Sequence, residues 1–285
     1  MRFLLALLTQ LVRMLAVVAL VSVASSAMVR LAPGYLSDAR EMDAKYGQSA
    51  RNELATEATR NGSIGHVLVN ELTDWTRGTL GLSREYEVPV TELIAPRLAV
   101  TGSLTLRTIA LAWTLALCGA LVASLAPRIR MVAQVPVALL LAVPTAAMAT
   151  TCLLIDAGGP VIVLTLVIAV RDFKFVERIL RKTWCEPHLL QARAQGMTIA
   201  RMVRAHVVPG IAPQLLALAS LSVVTALSAI VPVEVIFNVP GLGSLAWGAA
   251  QNRDIPVLVA VTMLFALAVT LCELLSNRGS ELVSI

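Results

Sequence analysis

Apolar residues along this chain come in long unbroken blocks, not at every third or fourth position, and short polar segments separate the blocks. A run of about 20 apolar residues is what a helix needs to cross a bilayer. The first block covers residues 10–31 and stops at Pro33-Gly34, a turn signal. The second covers 103–125 and is closed by Pro127-Arg128-Ile129-Arg130. The third covers 132–154, with kinks expected at Pro136 and Pro144. Asp156-Ala157-Gly158-Gly159-Pro160 reads as a tight turn, with Asp156 as a turn residue. A short fourth block, 161–170, must borrow length from the helix that follows it. The fifth block is 211–236, a polar hairpin-like stretch occupies 237–254, and the sixth block is 255–275. The pattern predicts an all-α membrane bundle of about six transmembrane helices. Its segments are a first helix in 1–32, an extracytoplasmic segment 33–100, a five-helix core 101–276 and a tail 277–285.

Composition supports lipid as the solvent. Hydrophobic residues make up 57% of the chain and charged residues 14%, against about 25% charge in a soluble domain. The net charge of +5 is small, and the basic residues gather at the ends of apolar blocks without a basic–aromatic module, which argues against nucleic-acid binding. Cys118, Cys152, Cys185 and Cys272 have no metal-ligand spacing and are expected to be small buried hydrophobes. His66 and His188 stand alone, so no metal and no cofactor is expected. The first block resembles a signal peptide only superficially. Arg13 interrupts it and it runs past Ala24-Ser25-Ser26-Ala27, the one cleavage-like sequence, so an uncleaved first helix is expected.

Charge sets the expected orientation. Basic residues near span ends mark the cytosolic side. Residues 171–209 hold eight basic residues against three acidic ones, whereas Arg253 is the one basic residue in the short loops of the opposite side. Both termini are therefore expected in the cytosol of a bacterial inner membrane. Residues 33–100, with ten acidic residues against seven basic, are expected outside; their portion 37–59 reads as a polar helix.

The basic loop carries the most information. Glu186-Pro187 reads as a helix start, Gly196 as a break and Thr198 as the N-cap of a second helix. Ile199, Met202, Val203, His206 and Val207 form an apolar stripe. Pro209 is expected to end that helix and Pro213 to begin the next membrane helix. Helix, glycine turn, helix fits an interfacial amphipathic anchor. The pattern favours that anchor; the alternative is a docking element for a cytosolic partner, with Ala192 small enough to enter a groove and Gly196 as hinge.

Gln191-Ala192, Gly196 and Val208-Pro209, spaced as they are, resemble the signature of permease subunits of binding-protein-dependent ABC importers. His206-Val207-Val208-Pro209 is similar to the dipeptide, oligopeptide and nickel branch. So are Glu234-Val235-Ile236-Phe237-Asn238-Val239-Pro240-Gly241-Leu242-Gly243 and Asn252-Arg253-Asp254-Ile255-Pro256. Upstream, Leu80-Gly81-Leu82-Ser83, Pro89 to Leu98 and Leu31-Ala32-Pro33-Gly34 follow the same order. Leu190 stands where that family commonly has an acidic residue, and the loop between the third and fourth spans is short.

The resemblance implies a membrane-embedded subunit that moves peptides, or a related solute such as a nickel complex, across the inner membrane. It implies a second permease subunit, two cytosolic ATPase subunits and an extracytoplasmic solute-binding protein as partners. It places ATPase coupling at Leu190, Gln191, Ala192, Gly196, His206 and Pro209. The competing reading is a degenerate, non-transporting scaffold or sensor. An intramembrane enzyme is the third; the chain has no Gly-x-Ser-x-Gly, His-Glu-x-x-His or phosphate loop, so no catalytic residue is assigned.

Further candidates lie in and after the fifth span. Ser222, Thr225 and Ser228 recur at spacing three and fit either a pore lining or helix packing. Glu234 fits either a functional membrane carboxyl or an interfacial group facing water. Pro240, Gly241 and Gly243 permit irregular backbone at membrane depth, as in an outer gate or a rim for a binding protein.

Overall fold

A computed structural model describes residues 80–283, except 84 and 253, together with four helical positions, Val12, Ala16, Leu20 and Ala24. The rest of the expected first span, the polar segment 33–79, His66 and the last two residues of the tail lie outside the described residues. Among those described, the secondary structure is helical, and the one β contact is an isolated bridge between Leu82 and Pro89.

Among the described residues from Val90 on, eight helices follow in order. Helix α1, Val90–Leu125, is longer than the sequence pattern indicates, because it starts directly after Pro89 with Glu92 in its first turn, where a carboxylate meets the positive end of the helix. Helix α2, Pro127–Ala142, starts on a proline, which suits the first turn. It ends at Val143, held extended (φ −82°, ψ 126°), because the ring of Pro144 excludes the helical region for the residue before it. Helix α3, Thr145–Leu154, then leaves at 100° to α2. The expected kink at Pro144 is thus a sharp break, whereas Pro136 sits inside α2.

Helix α4, Pro160–Trp184, runs 25 residues and absorbs the short fourth block together with the first part of the basic segment. Helix α5 is Pro187–Ala194. Helix α6, Ile199–Ile236, is continuous over 38 residues, about 57 Å. Helix α7, Leu242–Gln251, fills most of the stretch expected to be a polar hairpin. Helix α8 is Ile255–Val283. Helices α1, α6 and α8 each hold an apolar window long enough to span a membrane, and α2 with α3 makes a fourth if the bent pair is one span.

The chain divides into two compact units. In the first, residues 81–83 pair with residues 88–90: Ser83 N–H donates to the Val88 carbonyl (3.0 Å) and Val90 N–H to the Gly81 carbonyl (3.1 Å). Asp254 clips this pairing from a distance in sequence, accepting from Ser83 Oγ (2.5 Å) and the Glu85 amide (3.3 Å).

The second unit, Val100–Gly243 with Ala268–Ile285, contains the packed core. With lipid outside there is no hydrophobic drive between helices, so close backbone approach and polar bonds hold them together. Ala112, Ala116, Ala120 and Ala123 form a buried stripe along α1. Ala112 meets Ile168 and Ala169 of α4 and Ala226 of α6. Toward the other end, Ala120 and Trp113 pack with Val176 and Leu180 of α4, Leu189 of α5, and Val207, Ile211 and Leu218 of α6. The cysteines do not join this core: Cys118 and Cys185 are exposed and Cys152 and Cys272 half-buried, so the expectation of buried thiols is corrected. Cysteine is small enough to sit at a lipid-facing or loop position without cost.

Candidate functional site

The loop read as a docking element forms two helices around one glycine. Helix α5 ends in a left-handed residue, Gly196 (φ +81°), and Met197 N–H reaches back to the Ala192 carbonyl (3.2 Å), the six-to-one bond that closes a helix C-terminus around glycine. Thr198 occupies the N-cap position of α6, extended (φ −68°, ψ 148°), but its side chain makes no cap bond. On α5, Leu189 and Ala192 are buried and Leu190 is 56% exposed, with Gln191 exposed beside it. The outward face therefore consists of Leu190 and Gln191, while Ala192 turns inward.

Pro209 does not end a helix, contrary to the sequence expectation. It lies inside α6, two residues past the end of a π turn at Val203–Val207. Val208 N–H donates to the carbonyl five residues back, on Val203. A proline ring ordinarily collides with the carbonyl four residues before it, and the wider π turn relieves that collision. Pro213, likewise expected to start a helix, is also interior to α6. Of the expected stripe, Met202 and Val207 are buried, Val203 and His206 are half-buried and Ile199 is exposed. The loop and the fifth span are thus one rod.

At the far end of α6, Glu234 is fully buried and so does not face water. Thr101 Oγ1–H of α1 donates to Glu234 Oε1 (2.7 Å). Gly243 N–H donates to Glu234 Oε2 (2.7 Å), and Leu242 N–H donates to Thr101 Oγ1 (2.7 Å). The first two amides of α7, unsatisfied within any helix, are therefore capped by side chains of α1 and α6. A carboxyl group suits that place because the helix N-terminus is its positive end. A Cβ on Gly241 would overlap the Glu234 carboxyl group, and one on Gly243 would come within 2.8 Å of the Val231 backbone. Gly241 and Gly243 are glycines because the carboxyl group occupies the space a side chain would need. Pro240 is exposed in the connecting turn.

Ser222, Thr225 and Ser228 do not act together. Ser222 is fully buried; its hydroxyl proton is shared between Asp172 Oδ2 of α4 (2.6 Å) and the Leu218 carbonyl (2.8 Å), and it accepts from Trp113 Nε1–H of α1 (3.2 Å). Arg171 completes the cluster through Nε and Nη2 to Asp172 Oδ1 (3.2 and 3.0 Å). Thr225 and Ser228 bond the carbonyls of Leu221 and Val224 on their own helix. Ser222 therefore joins three helices, whereas the other two only satisfy themselves.

The sequence reading assigns no role to Asp172, Trp113 or Thr101; Ser83 and Asp254 stand in two of the quoted motifs, but their bond to each other is visible only in the structure. Asp172 had a usable signal, since Ile168, Asp172, Val176 and Leu180 recur every four residues and so share one face of α4. Among the described residues no cluster of three or more metal-ligating side chains occurs.

Residues 116–283 match the family model described as "Binding-protein-dependent transport system inner membrane component". The chain is 25% identical to the probable peptide ABC transporter permease protein y4tP of Sinorhizobium fredii, over 97% of its own length and 96% of that protein's. It is 30% identical over 125 residues to the dipeptide transport system permease protein DppB of Escherichia coli, a match covering 42% of this chain and 37% of that protein.

Proposed function

The chain belongs to the inner membrane components of binding-protein-dependent transport systems, and on that premise we propose that it is a peptide importer's permease subunit, with α5 as the point where a separate ATPase pushes. Its solute is a peptide or a related small solute such as a nickel complex. The transporter is completed by a second permease subunit, two cytosolic ATPase subunits and an extracytoplasmic binding protein. This chain is the non-catalytic part, with both termini in the cytosol.

One observation carries the coupling role: the exposed face of α5 is joined through Gly196 to a single helix that ends, 38 residues later, beside the Glu234 clasp. A displacement of α5 is not absorbed by a loop. It passes into α6, and at the other end α6 holds the first turn of α7 through Glu234. ATPase closure on one side would then bias the clasp on the other, which is what alternation between outward-open and inward-open states needs. Gly241 and Gly243, tight against Glu234, make the clasp an all-or-none contact suited to an outer gate.

Reconstitution of the chain with its partner subunits tests this. ATP-dependent peptide uptake is expected for the wild type and its loss for Gly196→Pro, with the complex still assembled. A wild-type complex that hydrolyses ATP in response to the binding protein yet moves no solute would overturn the permease reading in favour of a scaffold. Retention of the ATPase after disruption of Leu190 and Gln191 would move the docking site away from α5.

A further inference from the structure

Between α2 and α4 lies a cavity of about 350 Å³, used by neither the coupling loop nor the Glu234 clasp. One wall is Lys174, Glu177, Arg178 and Arg181 of α4; the other includes Gln134 and Val137 of α2. The three cations fall at spacings of four and three and so share one side of the helix. The core residues Val176 and Leu180, which meet Leu189 of α5, lie on the opposite side. None of the three cations forms an ion pair among the described residues. Three cations face one carboxylate, an excess of positive charge in a concave site.

Depth fixes the chemistry further. Helix α2 turns from basic to apolar after Arg128 and Arg130, and α4 turns from apolar to basic after Val170; basic residues at span ends mark the headgroup level, and the cavity lies beside both transitions. Helix α2 exposes Val135 and Leu139, each 65% accessible. A site that is cationic at its base and opens beside an apolar helix face fits an amphiphile with an anionic head. Basic pockets between membrane helices bind acidic phospholipids for this reason.

We propose that this cavity binds the phosphodiester headgroup of an anionic phospholipid, with Lys174, Arg178 and Arg181 as its ligands and the acyl chains lying along α2. The site would tether α4, and through it the Asp172–Ser222 cluster, to one leaflet. The proposal rests on the membrane placement of the chain, and its test reads lipid, not uptake, so a failure of transport does not bear on it.

The full-length chain is placed in nanodiscs of phosphatidylcholine with a minor fraction of phosphatidylglycerol, and retained lipid is counted by native mass spectrometry. Preferential retention of phosphatidylglycerol is expected. Each neutralisation among Lys174→Gln, Arg178→Gln and Arg181→Gln should lower that preference about fivefold. Val137→Trp, which fills the cavity and leaves the charges in place, should lower it as well. Arg128→Gln, an exposed cation of α2 outside the cavity, should leave it unchanged. An unaltered preference in the triple variant would overturn the proposal, as would an equal loss in Arg128→Gln, which would mean diffuse surface charge. Displacement of the lipid by inorganic phosphate would assign the cavity to a free anion. Loss of ATPase co-purification with lipid preference intact would assign it to the protein partner.

Discussion

Glu234 illustrates how one buried carboxyl group constrains its neighbours. Its oxygens take a hydroxyl from Thr101 and an amide from Gly243, both at 2.7 Å. Gly241→Ala is expected to destabilise the chain by about 1–3 kcal/mol, the usual range for overpacking, because the added methyl would occupy the carboxyl group's place. Thr101→Val should cost a similar amount, since it removes the donor to Glu234 and the acceptor of the Leu242 amide together. Thermal unfolding in detergent checks both. The Asp172 cluster makes a second prediction. Ser222→Ala strands Trp113 Nε1–H and one Asp172 oxygen, at about 1–3 kcal/mol. A double-mutant cycle of Ser222→Ala with Asp172→Ala should show coupling of about 0.5–3 kcal/mol; additivity would mean that the two side chains do not share an interaction.

At the level of elements, what matters is where helices break and where they do not. Gly196 breaks the chain by conformation alone: it has φ +81°, yet nothing lies within 4 Å of where its Cβ would be. Gly196→Ala should therefore cost the left-handed backbone penalty, about 1–2 kcal/mol, with no steric addition. Gly196→Asn should cost less, because asparagine adopts that conformation more readily. Unfolding midpoints should rank Gly, Asn, Ala, and binding-protein-stimulated ATPase activity of the assembled transporter should fall in the same order. Pro209 shows the reverse case. A residue that ordinarily stops a helix is carried inside one by the π turn before it, and the continuity of α6 depends on that turn.

For the whole molecule, the question is which faces meet lipid and which side of the membrane each loop occupies. Leu106, Leu111 and Leu115 of α1 are at least half exposed, as expected where hydrocarbon or a second subunit covers the surface. The orientation drawn from basic residues predicts that Cys185, exposed at the end of α4, lies in the cytosol. In a variant with Cys118, Cys152 and Cys272 replaced by alanine, a membrane-impermeant maleimide should label Cys185 in inverted vesicles and not in intact spheroplasts. Labelling from the outside would reverse the assignment of both the coupling loop and the termini.

The apolar blocks needed no tertiary information, because a bilayer offers the backbone no water and so demands long apolar helices. The sequence alone therefore determined an all-α membrane chain, the helix break at Gly196 and the start at Pro187, since each depends on neighbours close in the chain. The run from Glu234 to Gly243 was visible as a motif, but its meaning was not. Only the tertiary structure decided that Glu234 caps α7 together with Thr101, 133 residues away, and that Asp172 bonds Ser222 across 50 residues. Periodicity tells which face of a helix is different; it does not tell which helix that face will meet. The same limit applies to Pro209 and to the 237–254 stretch, among the expectations the structure corrects. Local propensity makes Pro209 a helix end and 237–254 a turn, and the contacts that override it, a widened turn in one case and a borrowed cap in the other, come from geometry that spacing does not encode.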